Sequence, residues 1–132
     1  MCGIVGIYFK KKKLHNRLGK YLSGMLDNMS SRGPDSAGFA IYNNDTKKFY
    51  KYSLCINDKS IINEFEVDIK NKFKDLTIKS VSDHLVIQTL SSPKTVIPYI
   101  KKKYDNILIV GYGKSIEIFK QVGNPKEIVK KF

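Results

Sequence analysis

The sequence predicts an α+β fold, on three observations. Short runs of β-branched and aromatic residues, bounded by Gly, Pro, Asn and Ser, recur along the chain and read as strands. Between them, apolar residues three and four apart mark amphipathic helices. Neither pattern fills the chain, so helices are expected to cover a sheet.

The elements follow in order. Residues 2–9 (CGIVGIYF) form an apolar, β-rich run and predict a buried strand. Leu14, Leu18, Tyr21, Leu22, Met25 and Met29 lie on one helical face, which predicts a helix ending near Ser30. Residues 31–38 (SRGPDSAG) are turn-rich. Residues 39–42 and 49–56 flank a turn at 43–45 and predict a hairpin, with Tyr50, Tyr52, Leu54 and Ile56 sharing a face. Ile61, Phe65, Ile69 and Phe73, spaced by four, predict a second helix. Residues 76–81 and 84–90 read as strands around Ser82-Asp83. Pro93 suits the first turn of a helix reaching Lys103. Residues 107–110 read as a strand closed by Gly111 and Gly113. Counted from the return strand, the order is β-α-β-β-α-β, which fits a ferredoxin-like unit. Beyond Gly123-Asn124-Pro125 lies a short amphipathic piece, residues 127–132. The domain division expected is residues 1–56, an insert over 57–119, and a tail over 120–132.

Composition narrows the function classes. The chain has 132 residues, 42% of them hydrophobic and 27% charged, a globular mixture. Two cysteines exclude a disulfide framework. No apolar run approaches the roughly 20 residues of a membrane-spanning helix. The N-terminus is apolar first and basic afterwards, at residues 10–13, the reverse of a secretory signal. A cytoplasmic protein with free thiols is therefore expected. The net charge is +12, which favours anionic partners in general. Yet all of the 24 basic residues except Arg17 and Arg32 are lysines. They are dispersed apart from runs at 10–13 and 101–103, at element ends. Base readout leans on the arginine fork, so a solvated surface is expected here and a nucleic-acid face is not.

Two segments carry chemistry. Cys2 follows the initiator methionine, and removal of Met1 would place a thiol and a free α-amine on one residue. An α-amine with a pKa of about 7.7–8.0 accepts a proton near neutrality, so it can activate its own thiol. In Arg32-Gly33-Pro34-Asp35-Ser36-Ala37-Gly38, the plain reading is a turn between helix and strand. The sharper one is a loop holding a charged substrate group, with the Arg32 fork suited to a carboxylate and Gly33 allowing close backbone approach. The remaining candidates read as bland. His15 is expected on a surface, and His84 has no partners at metal-ligand spacing. Cys55 reads as a structural residue in a strand, and no metal site is expected. Gly111-Tyr112-Gly113-Lys114 lacks the longer spacing of a phosphate loop.

Residues 1–8 (MCGIVGIY), followed by a helix and then residues 32–38 (RGPDSAG), resemble the class II, N-terminal-nucleophile glutamine amidotransferases. The nearer resemblance is to the amidotransferase subunit of archaeal-type glutamate synthase and N-methylglutamate synthase. It extends through residues 111–120 (GYGKSIEIFK) and 122–126 (VGNPK) and is loose between Tyr52 and Ile107. The resemblance implies part of an α-β-β-α sandwich carrying the ferredoxin-like insert. It implies Cys2 as the nucleophile on glutamine, with Gly3 beside it. It implies Arg32 as a site-supporting residue, joined by Gly33, with Asp35 ordering the turn. It further implies that ammonia passes to a synthase subunit bearing flavin and iron–sulfur groups, with no cofactor on this chain.

The family continues into a His-x-Arg motif for the substrate carboxylate, an Asn-Gly pair for the oxyanion, and a later Asp for the substrate amine. None occurs in these 132 residues. Loss of one oxyanion donor costs about 10²–10³ in rate, so almost no glutaminase activity is expected from this stretch by itself. A second chain completing the domain is one expectation. The alternative is a non-catalytic binding or subunit-interaction module built on the insert.

Overall fold

The computed structural model describes residues 3–32, 35–43 and 46–131, with side chains to residue 128. It is α+β, with four helices and two sheets among the described residues. The chain forms two compact units, residues 39–119 and the combination of 1–38 with 120–132. The chain passes between them at 38/39 and 119/120, not at 56/57. The strand over 50–56 belongs to the first of these units because it is an inner strand of its sheet.

In the 39–119 unit, β2 (Tyr50–Ile56), α2 (Ile62–Lys72), β3 (Thr77–Val81), β4 (His84–Thr89), α3 (Pro93–Lys103) and β5 (Ile107–Gly113) follow one another. The strands form an antiparallel sheet in the order β3-β4-β2-β5. Helix α2 arises from the spacing of Phe65 and Ile69, which are both fully buried. Asp58 caps the preceding 3₁₀ turn, its carboxylate accepting from the Ser60 N–H at 2.9 Å. Helix α3 starts with Pro93 at its first position, and Pro98 lies on its exposed side. Both helices lay their apolar faces on one side of the sheet. There Tyr52, Leu54, Ile56, Leu85, Ile87, Val96, Ile100, Tyr104 and Ile107 close a single core with Phe65, Ile69 and Phe73. Edge-to-face rings join the helices at Phe65–Tyr104 (5.0 Å) and Phe73–Tyr99 (5.4 Å).

The other face of this sheet is also covered. Lys51, Ser53 and Cys55 on β2 and His84 and Val86 on β4 are buried. Ser53 Oγ accepts from the Ile118 N–H at 2.8 Å, and the Phe119 ring lies 5.6 Å from that of His84. The first half of β6 (Ile116–Val122) thus packs over that face. Gly111 and Gly113 make the approach possible. Gly111 lies inside β5 and Gly113 is its last residue, paired with Ser53 and Lys51 of β2 respectively. A Cβ on Gly113 would stand 2.6 Å from Ile116 Cγ2, and one on Gly111 would collide with Ile118 Cδ1. A register shift opposite Ser53 and Leu54 leaves Val110 unpaired.

Strand β1 (Ser36–Tyr42) does not pair with β2, contrary to the hairpin expected; it pairs with β6. Besides local bonds among Thr46, Lys48 and Phe49, the described residues after β1 bond to the β5–β6 connection. The Asn43 N–H donates to Ser115 O at 2.7 Å, and the Thr46 N–H donates to Lys114 O at 3.4 Å. Strand β2, flanked on both edges by β4 and β5, has no edge left for β1.

The second unit holds a 3₁₀ turn (Lys12–Arg17), α1 (Leu18–Asn28) and α4 (Pro125–Lys131). Helix α1 starts later than Leu14, because the first turn is wound as 3₁₀. Helices α1 and α4 pack together, with Lys126 Nζ 3.5 Å from Asp27 Oδ1. The strand expected over residues 2–9 is not formed over 3–9. Val5, Ile7 and Phe9 are half-buried while Ile4 and Tyr8 are exposed, so the alternation persists. Among the described residues it has no ladder partner to make it a strand. The segment is anchored at Phe9, whose carbonyl lies 3.2 Å from His15 Nε2 and whose ring meets Tyr21 edge-on. Among the described residues no helix is long and apolar enough to cross a membrane.

Candidate functional site

Of the five residues expected at a site, Cys2 and Gly33 lie outside the described residues. The structure places the other three in the unit formed by 1–38 and 120–132. The chain turns back after α1 through a 3₁₀ turn, Ser30–Arg32, closed by the Arg32 N–H donating to Met29 O at 3.0 Å. That turn brings Arg32 to the N-terminal segment. A Cβ placed on Gly3 would lie 3.7 Å from Arg32 Cβ and would collide with the Met29 methyl group. Gly3, Arg32 and Asp35 are all solvent-exposed. Asp35 is fixed by its backbone, its carbonyl accepting from the Gly123 N–H at 2.9 Å. Gly123 holds φ at +132°, a conformation that favours glycine, just before α4 begins. The VGNPK segment therefore supports the RGPDSAG segment from across the unit.

Chemically, this surface offers an arginine, whose guanidinium carries a fixed fork of donors, with its Cβ beside Gly3. A carboxylate-bearing small molecule is the ligand class such a fork suits.

On the side of the sheet away from its helices, the 39–119 unit contains two polar clusters that periodicity did not reveal. In one, Glu117 is buried with Lys51 Nζ at 2.6 Å, Asn43 Nδ2 donating at 2.9 Å and Lys79 Nζ at 3.7 Å. Burial pushes the Glu117 carboxyl up, but Lys51, Lys79 and Asn43 together hold it below its ordinary value. In the other, Cys55, Asp83 and His84 each present a donor atom within 4.8 Å of the others. The signal for both was the pleat. Lys51, Ser53 and Cys55 alternate with the core residues of β2, so a covered second face would have to accommodate them. On the helix side, Asp68 accepts from Tyr99 Oη at 2.8 Å, from Tyr104 Oη at 3.0 Å and from Lys103. The Lys103 bond comes first in holding the Asp68 carboxyl below the usual carboxylate range.

The residues present do not fit the flavin and iron–sulfur groups of the resemblance. An iron–sulfur cluster takes about four thiolates, and the chain has two cysteines. Gly111-Tyr112-Gly113 is tied into a β ladder and is no phosphate cradle.

No family model matches the chain, and no solved structure is significantly similar to it. Two curated proteins are similar along its whole length. One is the "Glutamine amidotransferase-like protein GlxB" of Rhizobium meliloti (strain 1021), 36% identical over 137 aligned residues that cover 44% of that protein. The other is a "Putative glutamine amidotransferase" of Methanothermobacter thermautotrophicus (strain Delta H), 32% identical over 143 aligned residues that cover 47% of it. The chain spans just under half the length of these relatives. All of this chain is thus similar to part of proteins named for glutamine amidotransferase.

Proposed function

We propose that this chain is the front part of a class II glutamine amidotransferase and that Cys2, freed by removal of Met1, is its nucleophile. The observation that carries the reading is Gly3 folded against Arg32 in a chain similar throughout to amidotransferase-named proteins. The Cys2 thiol gives its proton to its own α-amine and adds to the side-chain amide carbon of glutamine. The amine returns a proton to the departing nitrogen, the C–N bond breaks, and ammonia leaves behind a glutamyl thioester. Water then cleaves the thioester to glutamate and restores the thiol. Arg32 supports the site, with Gly33 and Asp35 shaping its turn. Ammonia passes to a synthase subunit, and any flavin or iron–sulfur chemistry resides there. The substrate anchors and oxyanion donors come from the part of the protein that corresponds to the rest of the relatives' length, or from a second chain. The sandwich and its ferredoxin-like insert over β2 to β5 belong to the same proposal.

The test is glutamine hydrolysis by the protein extended to its relatives' length. The extended protein should release glutamate and ammonia, and Cys2→Ala should abolish both. Turnover retained by Cys2→Ala would remove Cys2 from the mechanism.

One observation favours a second reading, an interaction module. Strand β5 is an edge of its sheet, and Leu108 and Tyr112 on it are 59% and 52% exposed. Leu108→Lys should then break a complex with a synthase subunit while leaving glutamine hydrolysis intact. A complex unaffected by Leu108→Lys would exclude that edge.

A further inference from the structure

We propose that Cys55, Asp83 and His84 form a binding site for a divalent transition-metal ion of the zinc class. The site is independent of the amidotransferase reading. It combines one thiol, one imidazole and one carboxylate, and their donor atoms all lie within 4.8 Å of one another. This is a donor set that zinc accepts, with a fourth position left for water.

The backbone holds the three residues in place. Cys55 and His84 are register partners across the β2–β4 ladder. Asp83 is pinned to β2, its carbonyl accepting from the Ile56 N–H at 2.9 Å. Ser82, at φ +57°, makes the tight β3–β4 turn that presents Asp83 beside His84. Rigid placement of this kind is what a metal site needs from its scaffold. His84 Nδ1 and Asp83 Oδ1 stand 2.8 Å apart, somewhat closer than the roughly 3.3 Å that two bonds of about 2.0 Å make at a tetrahedral angle. A small opening of this pair admits the ion, and the hydrogen bond between them is exchanged for two metal bonds.

Charge and access agree with this. Binding releases the Cys55 proton, so a dication, a thiolate and a carboxylate sum to zero. A buried site tolerates a neutral assembly far better than a charged one. Cys55 and His84 are 6% and 0% exposed, whereas the Asp83 side chain is 16% exposed and marks the solvent side. In the metal-free state the Cys55 thiol donates to Asn57 Oδ1 at 3.6 Å, a contact given up with the proton when the ion binds. A bound ion would staple the end of β2 to the β3–β4 turn.

Cobalt(II) titration of the metal-free 132-residue chain tests the site. One equivalent should bind with tetrahedral d–d bands and a thiolate-to-cobalt charge-transfer band. Cys55→Ser should lose the charge-transfer band, and Asp83→Asn should weaken binding at least about tenfold, the usual scale for loss of a ligating or orienting group. Cys2→Ser should keep the spectrum, since Cys2 with its amine is the competing chelator. Zinc should raise the unfolding temperature of the wild-type chain, and at the same zinc concentration should raise that of folded Asp83→Asn by less. A band lost in Cys2→Ser but kept in Cys55→Ser overturns the proposal. So does a wild-type chain that shows no charge-transfer band, or one whose unfolding temperature zinc does not move.

Discussion

Glu117 is the residue on which the covered side of the four-stranded sheet depends. Its carboxylate is buried, and it is kept charged there by Lys51, Lys79 and Asn43. Removing one partner of such a pair strands the other, at a cost of about 3–5 kcal/mol. Lys51→Met should therefore lower unfolding stability by about 3 kcal/mol in urea titrations, toward the low end because Lys79 and Asn43 remain. Replacing both members, Lys51→Met with Glu117→Leu, should recover most of the loss. The acid response has a definite sign. Because the folded state holds Glu117 below its ordinary value near 4.5, its contribution is present above that value and lost as pH falls through the lower folded value. Glu117→Gln should flatten the stability profile below about pH 4.5. At Gly113, Ile116 Cγ2 is attached to the chain too closely to move aside. Gly113→Ala should cost about 1–3 kcal/mol by overpacking. The Met29 methyl beside Gly3 is the free end of a flexible side chain, so Gly3→Ala should cost less than Gly113→Ala in the same urea titration.

At the scale of elements, periodicity located what periodicity can encode. Ile61, Phe65, Ile69 and Phe73 marked α2 to within a residue or two, and Pro93 marked the start of α3. The strands over β3, β4 and β5 were equally legible, because each carries a β-branched run bounded by turn residues. Strand partners were not legible. Residues 43–49 resemble a hairpin turn, and Thr46 does bond locally to Phe49 and Lys48, but the Asn43 and Thr46 N–H groups donate to Ser115 and Lys114, some 70 residues away in sequence. A local pattern cannot report a bond of that range. The same limit explains residues 3–9, whose alternation is present but whose ladder needs a neighbour. It also hid Cys55, Asp83 and His84, which no ligand spacing connects along the chain and which only the β2–β4 register brings together. The core contact between α2 and α3 gives a check on element packing. Phe65 is fully buried against Tyr104, so Phe65→Ala should destabilise by about 3–5 kcal/mol. A loss under about 1 kcal/mol would mean that the helices do not pack as described.

At the scale of the molecule, the chain consists of two units with different characters. The 39–119 unit is closed by its own core and buries charged and polar side chains on its second face. The other carries the N-terminal segment and Arg32, and leaves Ile4, Tyr8 and Val122 exposed. A surface of that kind accords with the proposal that further chain, matching the remaining length of the relatives, completes this unit. Of the proposed site, the residue types and their order were legible from the opening and from residues 32–38. The approach of Gly3 to Arg32 needed the fold. The most direct measurement is covalent labelling of the relative-length protein by an electrophilic glutamine analogue, followed by peptide mass analysis. The proposal predicts one adduct, on the thiol of a peptide that begins at Cys2 and lacks Met1, and protection by glutamine. An adduct on Cys55, or an N-terminal peptide that retains Met1 in protein able to hydrolyse glutamine, would contradict it.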